Sequence, residues 1–261
     1  TYKWFCDGVE IPDDTTNELT VAKDIGSYEY RCDVTRDGYT LSSNTVQLTV
    51  QRIDLSDAVL SATIAERAYD GTYNATIEDG SSLTLGNLTV PASAYTLLAV
   101  FADKDAGENK NVTVTVKLTN TNYCFDYDAD GTPILEKTFE TTGTITQNMT
   151  PIEKSEKIEV YSGVAHKYTV DLDACLNNPQ NLGVESYQIT EKNIVVSKLI
   201  DADQVVLEGH SLKIPVKAVV TAPDTEADQF TITVTCKNYS DVTIRVRVVT
   251  KDRLAVTATA T

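Results

Sequence analysis

Four stretches of the chain, NTVQLTV (residues 44–50), NVTVTVKLT (111–119), FTITVTC (230–236) and VTIRVRVVT (242–250), alternate residue by residue and draw heavily on Val, Ile and Thr. A period of two puts every second side chain on one face of an extended backbone, so each stretch predicts a half-buried β-strand. Helical periodicity is nearly absent, and the clearest helix candidate, DLDACLNN ahead of Pro179, is short. Polar turn signals (RDG, YDG, EDG, ADG and EGH) punctuate the strands. Turns this frequent join antiparallel neighbours, whereas parallel sheets need crossover helices that the sequence does not supply. The expectation is an all-β chain of antiparallel β-sandwich modules.

At 261 residues the chain is too long for one small sandwich and fits two or three compact units. A formal net charge of −16 argues against nucleic acid and anionic membrane surfaces as partners, because both would repel it. Hydrophobic residues make up 41%, too many for disorder, and the longest apolar run, AYTLLAVFA (94–102), is too short for membrane insertion. The chain opens on Thr1 with neither signal peptide nor initiator Met and closes on Thr261 with no sorting signal, which predicts an excised piece of a longer polypeptide.

In DIGSYEYRCDV, Asp24, Gly26 and Tyr28 form the D-x-G-x-Y pattern at the start of strand F of immunoglobulin-like domains, and YKWFCDG places Trp4 on strand C. Residues 1–51 therefore resemble the later part, strands C to G, of a bacterial immunoglobulin-like module. That resemblance implies core positions for Trp4 and Tyr28.

The second segment, 52–151, carries AERAYDGTYNATI, FADKDAGENKNVTVTVKL, NYCFDY and TGTITQ in that order. These landmarks resemble the YDG family, a β-rich repeat of large bacterial surface proteins and adhesins, with Tyr69, Asp70 and Gly71 matching the name-giving tripeptide. The excursion FDYDADGTPILEKTFE before TGTIT departs from the pattern and reads as an extended hairpin. Asp70–Gly71 reads as a turn pair able to adopt positive φ and Tyr69 as an anchor of the adjoining strand, with a ligand role for the tripeptide as the alternative. The third segment, 152–261, begins after Pro151 and carries HKYTVDL, ESYQIT, LKIPVKAVV and FTITVTCKNYSDVTIRVRVV, similar to tandem β modules of Gram-positive surface proteins. The closing KDRLAVTATAT reads as a strand leading into a further module.

These resemblances imply a secreted, cell-surface, non-catalytic protein acting as a structural and adhesive stalk. Its implied partners are other modules of the same polypeptide and host or cell-wall glycans or proteins. The alternative is a glycan- or protein-binding accessory module of a secreted enzyme.

A search for chemistry assigns no catalytic residue, no cofactor and no metal ligand. The two histidines, His166 in GVAHKYTV and His210 in LEGHSLKIP, stand beside glycine-containing turn signals without a nucleophile or metal-ligand motif, and read as surface or turn residues. Tyr73, Tyr127 and Tyr187 are conceivable sugar platforms, against the alternative of packing or cross-strand pairing. The N-x-S/T sites at Asn74, Asn87, Asn111, Asn148 and Asn238 would suggest glycans in a eukaryotic chain, but Thr-rich strands generate that pattern by chance.

DYDADG (126–131) could be a calcium loop or a hairpin turn. On an EF-hand template Asp126, Asp128 and Asp130 take positions 1, 3 and 5 and Gly131 position 6, but position 12 is Lys137 where a bidentate Glu is needed, and Glu136 is one residue early. A hairpin accounts for more of these residues, since strand-like sequences flank Asp130–Gly131. Five cysteines occur: Cys6, Cys32, Cys124, Cys175 and Cys236. With Trp4 placed level with Tyr30, Cys6 falls beside Tyr28 and Cys32 beside Tyr2, four residues out of step and beyond disulfide reach.

Overall fold

The structure, a computed structural model, describes residues 1–194, 199–219 and 228–251. It is all-β, built of mostly antiparallel sheets, with two short α-helices and two 3-10 turns among the described residues. Two compact units divide the chain: Thr1–Thr63, Ile77–Ala99 and Thr113–Thr141 form the first, and Ile64–Thr76, Val100–Val112 and Thr142–Thr261 the second. The expected closing strand KDRLAVTATAT lies, from Asp252 onward, outside the described residues.

In the first unit Gly26–Arg36 is a central strand, paired antiparallel with Tyr2–Cys6, Tyr39–Ser42 and Val46–Val50. Tyr2–Cys6 turns back into Val9–Ile11 through Asp7 and Gly8, both in the left-handed region with φ of 51° and 81°, the two-residue turn that matches strand twist. The register differs from the sequence expectation by two residues: Trp4 faces Cys32, Cys6 faces Tyr30 and Tyr2 faces Val34. Asp7 is the physical reason. Its N–H donates to Glu29 O and its carboxylate accepts from Glu29 N, both at 2.8 Å, which pins the end of the hairpin.

A two-residue slip keeps every side chain on its expected face. It brings Cys6 and Cys32 to about 7 Å of offset along the strands, roughly 8 Å once the interstrand spacing is included, still beyond a disulfide's reach. All five cysteines are free.

Trp4 and Tyr28, expected in a core, are only half-buried. Both satisfy their polar atoms locally, Trp4 Nε1 donating to Thr16 O at 2.9 Å and Tyr28 OH to Asp24 O at 3.0 Å. Within residues 1–50 only Tyr30 and Cys32 are buried. The face they occupy stays open, and Trp4, Tyr30, Cys32, Val46 and Leu48 line a groove of about 410 Å³. The closed core of this unit lies further along the chain, where Leu55, Leu83, Val90, Val116, Leu118 and Phe125 pack together.

The C-terminal sandwich of the second unit is more regular. One sheet runs Glu153–Tyr161, Val242–Lys251, Asp228–Cys236 and Val184–Asn193, and the other His166–Asp171, Ser211–Val216 and Val206–Glu208. Alternate residues point inward: Val242, Ile244, Val246 and Val248 on one strand, Phe230, Ile232 and Val234 on its neighbour, Leu212 and Ile214 opposite. Most ladders are antiparallel, as the turns predict. Glu153–Tyr161 is an exception: it pairs in parallel with Val242–Lys251 along its full length, from Glu153 opposite Thr243 to Tyr161 opposite Lys251. The predicted helix forms over Leu172–Leu176, capped by Asp171, and a second short helix that the sequence did not suggest, Pro179–Leu182, follows it, capped by Asn178.

Candidate functional site

The YDG tripeptide sits in the second unit as a tightly bonded turn. Arg67–Ala68 precedes it and pairs in parallel with the TGTIT strand, Arg67 opposite Ile145 and Ala68 opposite Thr146. Asn74–Ala75 follows it, so the flanking strands do not form a hairpin with each other. Gly71 takes a φ of 78°, which its missing side chain permits.

Asp70 closes the turn: one carboxylate oxygen accepts from Thr72 N and Thr72 Oγ1, both at 2.8 Å, and from Arg67 Nη1 at 2.6 Å. Arg67 also donates to Thr72 O at 2.7 Å and lies over the Phe101 ring, 5.3 Å from its centroid. Burial opposes ionisation of Asp70, but the Thr72 donors and the Arg67 guanidinium outweigh it and hold the carboxyl below its ordinary value.

Tyr69 is 2% exposed and is anchored on both sides. Its N–H donates to Thr146 O at 2.8 Å, and Asn148 Nδ2 donates to its carbonyl at 3.1 Å. The ring meets Tyr239 edge-on at 5.5 Å, with the planes at 70°. Next to Tyr239, Asn238 is fully buried and joins three segments: Oδ1 accepts from Ala106 N at 2.8 Å, and Nδ2 donates to Asp105 Oδ1 at 3.0 Å and Asn181 O at 3.2 Å. Asn148 N donates to Asn238 O at 2.9 Å, and Gln147 Nε2 to Cys236 O at 2.8 Å. The tripeptide, the loop before Gly107 and the turn Lys237–Asp241 thus form one hydrogen-bonded cluster. A buried Asn238 cannot accept a glycan, whereas Asn74, Asn87 and Asn111 are exposed.

Sequence reasoning missed Arg67, Asp105, Asn238 as a linker, and Tyr239. The available signal was KNYSD, a turn longer and richer in amide and aromatic groups than two strongly alternating strands require.

Other nominated residues fall elsewhere. His166 is an exposed strand residue stacked edge-on against Tyr168 at 4.6 Å. His210 Nδ1 lies 2.8 Å from Asp173 Oδ2, and the Tyr187 hydroxyl donates to the other oxygen of the same carboxylate. That trio ties the short helix to a strand and a turn, with Tyr187 also packed against the sandwich core. Tyr73 and Tyr127 are 52% and 45% exposed.

DYDADG forms a hairpin: Asp126–Tyr127 pairs antiparallel with Pro133–Ile134, and Gly131 N donates to Asp128 O at 2.9 Å. Asp128 Oδ1 accepts from Asp130 N at 3.0 Å and Thr132 N at 2.8 Å, so this carboxylate is already committed to the turn.

No protein-family model matches the sequence, and no curated protein is significantly similar to it. Among solved structures, the I-band fragment I67-I69 from titin superposes with a TM-score of 0.34 at 11% identity, covering 96% of this chain and 88% of that one. The protocadherin gammaB7 EC3-6 structure gives 0.33 at 12%, covering 97% and 67%, and the human desmocollin-1 ectodomain 0.30 at 13%, covering 96% and 54%. Superpositions this loose transfer neither site nor activity.

Proposed function

We propose that the chain is a non-catalytic structural and adhesive segment of an extracellular surface protein of the YDG type, organised as three modules with boundaries near residues 51 and 151. The observation that carries this reading is the parallel ladder between the first and last described strands of the C-terminal sandwich. Because Glu153–Tyr161 and Val242–Lys251 run in the same direction, the chain enters at Glu153 and leaves at Lys251, at opposite ends of the ladder. Tension between those points acts along the strands and loads their hydrogen bonds together, instead of opening them one at a time. A spacer between a cell surface and a distal binding region needs that mechanical property. The YDG turn supports the same reading, since the Tyr69 backbone and one Asp70 carboxylate oxygen are bonded within this chain and the Tyr69 side chain is buried.

Single-molecule pulling tests the reading. Attachment at Glu153 and Lys251 should give an unfolding force several-fold higher than attachment at Tyr161 and Lys251, which unzips the same ladder from one end. Equal forces in the two geometries would refute it.

A further inference from the structure

We propose that the first unit carries a binding site for a hexuronic acid residue, centred on Arg52; this goes beyond the mechanical role. Arg52 is partly buried, its Nε is sealed from solvent without a hydrogen-bond partner, and among the described residues it enters no ion pair. In a chain with 38 acidic and 22 basic residues, a partly buried guanidinium without a carboxylate is a group whose partner comes from outside.

Arg52 lines an open pocket of about 420 Å³, the size that suits a small ligand. Gln51, Asp54 and Tyr127 line it as well, together with Gly26 and Thr49 of the N-terminal sheet. The Tyr127 hydroxyl faces Arg52 and the Cys124 thiol, which leaves its half-exposed ring available to a ligand.

These groups fit one chemistry. A guanidinium recognises a carboxylate through two parallel hydrogen bonds. The tyrosine ring offers an apolar platform to the C–H face of a pyranose. The Gln51 amide and the Asp54 carboxylate, whose Oδ1 already accepts from Ser56 N at 2.8 Å, can take the ring hydroxyls. Asp54 and the chain's net charge of −16 disfavour a dianion such as sulfate, while a sugar with a single carboxylate matches the single cation.

The test is a titration of the 261-residue chain, followed by NMR at the Gln51 and Tyr127 amides, with glucuronate, glucose and sulfate as separate probes. Glucuronate should saturate with a Kd of about a millimolar, and glucose and sulfate should each bind at least ~10-fold more weakly. Arg52→Gln should abolish the glucuronate response, Tyr127→Ala should weaken it, and both variants should melt near the parent temperature. Arg52→Lys guards against a misfolded glutamine variant: it keeps the charge but not the fork, and should weaken glucuronate ~10-fold. Equal responses to glucuronate and glucose, sulfate binding as tightly as glucuronate, no saturation below about 0.1 M, or an Arg52→Lys variant that binds like the parent would each overturn the proposal.

Discussion

Asn238→Ala is the most direct test of whether the YDG turn and the C-terminal sandwich are held as one structure. Truncation removes an acceptor from Ala106 N, a donor to the Asp105 carboxylate and a donor to Asn181 O. Ala106 is 6% exposed, so its N–H has little water to turn to, and an orphaned buried donor costs about 1–3 kcal/mol. The two lost donor bonds add about 1 kcal/mol each, for a total of about 3–5 kcal/mol. For a cooperative unit of about 150 residues that corresponds to a fall in Tm of roughly 6–20 °C. Differential scanning calorimetry reads the shift, and hydrogen exchange at the Ala106 amide should accelerate in parallel. Asn111→Ala, an exposed asparagine in the same kind of sequon, is the control and should stay within about 0.5 kcal/mol of the parent. Asn238→Asp should be worse than alanine, since it sets a second carboxylate against Asp105. A loss below about 1 kcal/mol for Asn238→Ala, with unchanged exchange at Ala106, would refute the argument that this amide joins the segments.

Gly143→Ala tests the close approach of the TGTIT strand: an added Cβ would stand 2.8 Å from Ile64 Cγ2 and 3.0 Å from Phe101 Cε1, and Ile64 Cβ at 3.1 Å leaves no flexible end to yield. The expected cost is about 1–3 kcal/mol in urea unfolding, and a neutral result would mean that the strand can shift. The carboxyl of Asp70 is held below its usual value, so its contribution is fully present above an unfolded pKa near 4 and is lost as pH falls through the lower folded value. Asp70→Asn should therefore flatten the acid limb of a Tm-against-pH curve while lowering Tm at neutral pH; an acid limb of unchanged slope would contradict this.

The strands with the strongest alternation were legible from composition and period alone. NVTVTVKL, FTITVTC and VTIRVRVVT all fall within strands, Gly107–Leu118, Asp228–Cys236 and Val242–Lys251, and most of their Val and Ile side chains are buried in the cores. DYDADG was legible as a turn because its chemistry is local. Asp128 serves N–H groups only two and four residues away, and a cation binding there would have to compete with both.

Alternation states which side chains share a face, and it says nothing about which strand lies alongside. EKSEKIEVY has the charges of an edge strand, yet its sequence holds no mark of a parallel partner nearly a hundred residues later. The register of Tyr2–Cys6 depends on one side-chain contact, Asp7 to Glu29, that no spacing rule contains. The cluster around Tyr69 is harder still, because Asn238 and Ala106 are 132 positions apart and the asparagine carries a sequon that points to the surface. Arg52 lies between these extremes: its position was plain, but only the fold shows that no carboxylate of the described chain reaches it. What escapes a local reading in each case is a polar group whose partner is distant in sequence or outside the chain. Such groups must be satisfied at a cost of kilocalories, so they fix the register and the junction that the apolar pattern leaves free.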